Sequence, residues 1–93
     1  MAKLENHYPG NESWDMYSAL YKILWTGDEF QAKLLSELNS KLDIAQVVFG
    51  IFKCESLNWI KLPVPALKGL SAKECLGQGL EKRLKTMLMR LPQ

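Results

Sequence analysis

Histidine occurs once, at His7, and cysteine twice, at Cys54 and Cys75, so the chain holds few of the side chains that build metal centres or imidazole and thiol catalysis. A lone histidine, with no second imidazole and no acidic cluster at ligand spacing, reads as a surface residue rather than a ligand or general base. The two thiols lack C-x-x-C spacing and read as reduced, half-buried cysteines. No serine or cysteine has a candidate base, because the single His falls in what reads as a loose arm. Gly77-Gln78-Gly79 supplies a G-x-G, but no strand pattern precedes it and no third glycine follows at the dinucleotide-binding offset. Carboxylates stand singly or as Asp28-Glu29, where helix capping and solvated faces account for them. No apolar run approaches the ~18 residues of a membrane span. Residues 1–7 lack the apolar stretch of a secretory signal. The expectation is a chain with no catalytic, cofactor-binding or metal-binding residues, and not an enzyme.

What is present is a globular composition, 47% hydrophobic and 24% charged in 93 residues, enough for one modest core. The formal net charge of +2 permits contact with nucleic acid without arguing for it. Apolar residues recur three and four apart, and nowhere alternate long enough for a sheet. The fold expected is all-α: a single domain, a bundle of five or six short helices.

Residues 1–11, with His7, Tyr8, Pro9 and Gly10, read as an arm. A first helix is expected from Glu12 to Trp25, capped by Asn11 or Ser13, with Gly27 beyond its end. Trp14, Tyr17, Tyr21 and Leu24 form one aromatic stripe along it, while Met16, Leu20 and Ile23 lie partly off that stripe. A helix apolar over so much of its circumference needs two neighbours, or one neighbour and a second chain. Trp14, Tyr17, Tyr21 and Leu24 are therefore either core or a homodimer interface. A second helix starts at the cap Asp28-Glu29-Phe30-Gln31 and buries Phe30, Leu34, Leu35, Leu38 and Leu42, with Asn39-Ser40 weakening its end. A third begins at a further box, Asp43 to Gln46, and carries the stripe Ile44, Val47, Val48, Ile51, Phe52. Gly50 inside it marks a close approach or a break. A fourth runs near Glu55 to Leu62. Residues 12–42 thus form a helical pair and 43–93 a second region.

The last third has the clearest punctuation. Pro63 and Pro65 force an extended crossing, since each lacks an N–H and disfavours helix in the residue before it. Leu67 to Leu70 makes a turn, and Ser71-Ala72-Lys73-Glu74 is a capping box. A last amphipathic helix spans Leu80 to Arg90 with Leu80, Leu84, Leu88 and Leu91 as its stripe and Pro92 after it. Lys68, Lys73, Lys82, Arg83, Lys85 and Arg90 give the region a positive cast. Adaptable Met87 and Met89 beside arginine suit a protein interface.

In order, Val47-Val48-Phe49-Gly50, Leu57, Trp59-Ile60, Pro63, Pro65, Leu67-x-Gly69-x-Ser71, Glu74, Gly77, Gly79 and the terminal helix resemble the toxin-binding domain of the Xre/MbcA/ParS antitoxins. The likeness covers about residues 45–91 and departs from the family at Ala72, where a proline is usual. It implies a bacterial or phage cytoplasmic protein that forms a homodimer. It also implies binding to a partner with an ADP-ribosyltransferase-like or NAD-degrading toxin fold, with the C-terminal helix and tail reaching toward the partner's active site. The partner-facing candidates are Arg83, Met87, Arg90, Leu91, Pro92 and Gln93. The residues before the domain lack the polar, basic recognition helix that DNA-binding members carry, so nucleic acid is not the expected partner. Two alternatives stay open: an inhibitor of some other host protein carried by a phage or mobile element, and a small DNA-binding regulator.

Overall fold

Local capping decides where several helices start. The computed structural model describes residues 8–90. Among these, α1 spans Asn11–Ala19, α2 Glu29–Glu37, α3 Leu42–Phe52, α4 Ser56–Trp59, α5 Ala72–Gly77 and α6 Glu81–Arg90, with 3-10 turns at Lys22–Leu24, Lys53–Glu55 and Pro65–Leu67. Asp28 caps α2 by accepting from the Gln31 N–H at 2.8 Å. The Gln31 side chain is itself buried and gathers the incoming loop. Its Oε1 accepts from the N–H groups of Thr26 and Gly27 at 2.7 and 2.6 Å, and its Nε2 donates to the Leu24 carbonyl at 3.1 Å. Ser71 and Glu74 form the full reciprocal box at the start of α5, at 3.1 and 2.9 Å. Ser71→Ala should cost about 1 kcal/mol in urea unfolding, because the Glu74 N–H loses its acceptor at a nearly buried helix end. A loss below about 0.3 kcal/mol would mean that solvent replaces the hydroxyl.

Three expected starts and ends differ. Neither Asn11 nor Ser13 caps α1. Gly10, at φ 113°, holds that position, and the Asn11 side chain instead accepts from the Tyr8 hydroxyl at 2.8 Å. Tyr8 packs on the core, so the described part of the expected arm is tied down; residues 1–7 lie outside the described residues. α1 stops at Ala19 rather than Trp25, and the chain passes through a turn into 3-10 geometry. The box expected at Asp43 does not form, since α3 already begins at Leu42. The Asp43 carboxylate accepts from the Trp14 indole at 2.7 Å, a partner 29 positions away.

α3 is the axis of the bundle. Ile44, Ala45, Val47 and Val48 are fully buried along it, with Ile51 and Phe52 half-buried beyond. α1, α2, α4 and α6 pack around it; Trp14 of α1, Leu34 of α2 with Leu38 at its end, and Leu84 and Leu88 of α6 join one continuous core, against which Leu57 and Trp59 of α4 lie half-buried. Gly50 does not break the helix. It receives the Tyr21 ring, which stands where a Cβ would be, 2.0 Å from its ideal position. After α2 the chain turns through Asn39 and Ser40, both at positive φ, so the helix ends there and Leu42 is left exposed rather than buried. The proline crossing is extended only as far as Val64, which bridges antiparallel to Leu70; Pro65 opens the 3-10 turn, and Lys68 and Gly69 are left-handed after it. Among the described residues the protein is all-α, without a named strand, and no helix is long and apolar enough to cross a membrane.

Ion pairs stitch the helices together. Lys85 Nζ lies 3.6 Å from both Asp43 and Glu81 and 5.2 Å from the Trp14 ring centroid, joining α6 to α3 and α1. Lys73 of α5 reaches Glu37 of α2 at 2.6 Å. That hydrogen bond, and then the ammonium charge, hold the Glu37 carboxyl below its ordinary range. A carboxyl depressed on folding contributes stability above its unfolded value, roughly pH 4.3, and the contribution is lost as pH falls through the lower folded value. Glu37→Gln should therefore flatten the acid limb of a Tm-against-pH curve and leave the curve above pH 7 parallel to that of the wild type. An unchanged acid limb would mean that the pair is solvent-screened to nothing.

Candidate interaction surface

No group of three His, Cys, Asp or Glu side chains among the described residues could hold a metal ion. Cys75 is buried and Cys54 exposed, so neither is the half-buried thiol expected. A hollow of about 360 Å³ opens at the start of α6, lined by Gly79, Leu80, Glu81, Lys82 and Arg83. Its carboxylate, Glu81, is engaged with Lys41 and Lys85.

The aromatic stripe of α1 turns inward. Trp14 is 1% exposed and Tyr21 9%, and Tyr17 is half-buried with its hydroxyl donating to the Leu88 carbonyl at 3.0 Å. Tyr21 donates in turn to the Tyr17 hydroxyl at 3.3 Å. These three are core of a single chain, which corrects their assignment to a dimer interface. Large rings bury more apolar area than aliphatic side chains, so where two faces of one helix compete for the core the aromatic one wins. Leu24, the fourth member, is exposed.

The terminal helix holds a similar correction. Arg83 and Met87 face inward at 8% and 3% exposure, so they do not offer themselves to a partner. Their positions are one helical turn apart, beside the buried pair Leu84 and Leu88, and the inward face of α6 is wider than the leucine stripe alone. Arg90 is exposed, and Leu91, Pro92 and Gln93 lie outside the described residues.

What α1 leaves outside is apolar. Met16, Leu20 and Ile23 are 70%, 69% and 87% exposed, with Leu24 and Ala19 also open to solvent. At about 100° of turn per residue, Met16 and Leu20 fall opposite Trp14 and Ser18, and the backbone stays right-handed through Leu20 and Tyr21 into the 3-10 turn. The outcome is a ridge of flexible aliphatic side chains on the back of a helix whose front is in the core. The signal was present in the sequence, where Met16, Leu20 and Ile23 lie partly off the aromatic stripe. The cations that could have suggested a nucleic-acid face are in part spent internally, on Glu37, Asp43 and Glu81.

No family model, curated protein or solved structure matches this chain.

Proposed function

We propose that the chain is a non-enzymatic protein-binding module whose binding face is the ridge Met16, Leu20, Ile23 and Leu24. The observation that carries this reading is the exposure of three large aliphatic side chains along one short segment, Met16 on α1, Leu20 just past its end and Ile23 in the 3-10 turn. Exposed apolar residues scattered singly are ordinary, whereas a contiguous set on one helix is what interfaces are made from. Methionine and leucine at its centre suit a surface that adapts to what it meets. Inhibition of a partner protein in the manner of an antitoxin is one form such a module takes. On this fold its contacts would come from the ridge and from Arg90, not from Arg83 and Met87.

Because the ridge lies outside the core, changing it leaves the fold intact. A tagged chain and its Met16→Ser/Leu20→Ser/Ile23→Ser variant should both fold, as judged by near-ultraviolet circular dichroism. A stoichiometric protein partner should co-elute with the first and be lost from the second. A Leu62→Ser variant, which alters an exposed leucine elsewhere, should retain it. Capture indifferent to the ridge would overturn the assignment.

A further inference from the structure

Away from the ridge, we propose that Lys33, Lys61 and Lys73 form a recognition site for an acidic peptide segment of a partner protein. The three lysines come from three places in the chain: α2, the turn after α4, and α5. Packing brings them together. The Lys73 N–H donates to the Ile60 carbonyl at 3.2 Å, so the backbones of Lys61 and Lys73 lie side by side. Ile60 and Ala72, the residues before the two lysines, are fully buried and fix both positions. The Lys73 ammonium then crosses to Glu37 of α2 at 2.6 Å, and Lys33 stands one helical turn before Glu37 on the same helix.

Three ammoniums therefore surround one carboxylate. The hydrogen bond and charge of Lys73 act most strongly on Glu37, and the charges of Lys61 and Lys33 help to hold its carboxyl low. Among the described residues neither Lys33 nor Lys61 has an ion-pair partner, and both are exposed. The surplus of positive charge is local. Along α2 it is bounded by Glu29, exposed one turn before Lys33, and Glu37 stands inside it. A nucleic-acid strand, with a phosphate at every nucleotide, calls for cations in a continuous run. An acidic peptide needs only a local excess, and its carboxylates are the group that Glu37 already supplies within the folded chain. Glu37 is then an internal competitor, because a peptide that reaches Lys33 and Lys61 also draws on Lys73. The site shares no residue with the ridge, so either can fail without the other.

Capped octaglutamate, titrated into the 15N-labelled full chain at neutral pH and low salt, is the probe. Amide shifts should centre on Lys33, Lys61 and Lys73, with a Kd of about 0.1–1 mM that weakens steeply as salt is added. Lys33→Glu and Lys61→Glu should each weaken binding about fivefold or more, and Lys33→Gln gives the same comparison should Lys33→Glu misfold. Lys22→Glu, the same charge change at an exposed lysine of the first 3-10 turn, should weaken it less than about twofold. Glu37→Gln should tighten binding about two- to threefold, and by more than Glu12→Gln, which removes the same charge from exposed α1.

No saturable binding at millimolar peptide, a loss in Lys22→Glu equal to those at the site, or a Glu37→Gln variant no tighter than Glu12→Gln would each overturn the proposal. Octathymidylate carries its charge on phosphates instead. Tighter binding of that strand than of octaglutamate would also overturn it, in favour of a nucleic-acid surface.

Discussion

Trp14→Ala is expected to cost about 3–5 kcal/mol, the range for deleting a buried indole. Trp14 is 1% exposed and touches three parts of the bundle at once. Its ring packs on Tyr17 with centroids 6.0 Å apart, its N–H donates to Asp43 of α3, and Lys85 of α6 stands over its face. Alanine leaves a cavity where α1, α3 and α6 meet and takes from the Asp43 carboxylate its shortest donor. A domain of this size has about 5–10 kcal/mol in total, so the variant should sit near its unfolding midpoint in mild denaturant. Trp14→Phe separates the two components: it keeps most of the packing and loses the hydrogen bond, and should cost well under half as much. Urea unfolding with a constant m-value measures both. Equal losses for the two variants would mean that the indole hydrogen bond, not the buried volume, holds this corner.

That corner also shows where local reading stops. The cap at Asp28 and the capping box at Ser71 were legible because every group they need lies within four residues, although at Asp28 the return half is missing, since Gln31 Oε1 accepts from Thr26 and Gly27 instead. Asp43 looked identical on paper and failed as a cap, because α3 begins one residue earlier at Leu42; its carboxylate instead accepts from the indole of a tryptophan 29 positions earlier. The stripe of α3 was legible in part for the same reason as the caps: Ile44, Val47 and Val48 follow the helical period and are buried, but Ala45 and Gln46 are buried with them and Ile51 and Phe52 only half. α1 was not legible in this way. Its two apolar faces carry nearly the same signal, and only the tertiary competition between rings and aliphatic side chains decides which is core. Of the two alternatives open for the stripe, core or dimer interface, burial gives core for Trp14, Tyr17 and Tyr21 and leaves the aliphatic side chains outside. On α6 the difference runs the other way, for Arg83 and Met87, expected to face a partner, are buried. A long side chain can bury its stem, and its guanidinium then needs partners that no local pattern reveals.

Gly50→Ala should destabilise the protein by about 2–3 kcal/mol, against the sign that helix propensity alone assigns. In an ordinary helix interior alanine is better than glycine by about 1 kcal/mol. Here the added methyl would fall 2.0 Å from Cδ1 of Tyr21 and 2.8 Å from Cγ, near the root of the ring rather than at its free end. Rotating the ring away is resisted, since the Tyr21 hydroxyl donates to Tyr17 and Tyr17 donates on to Leu88. The loss of overpacking relief exceeds the gain in propensity. The decisive measurement is a double-mutant cycle with Tyr21→Ala. Once the ring is gone, Gly50→Ala should become neutral or stabilising, reversing sign between the two backgrounds. A Gly50→Ala penalty that persists without the ring would place the constraint in the α3 backbone. A reversal would fix the Tyr21 ring, seated on Gly50 by the turn that follows Ala19, as the source of the penalty. The same turn carries Leu20 and Ile23 outward, so the packing that closes the core on one side of the helix also leaves the ridge on the other.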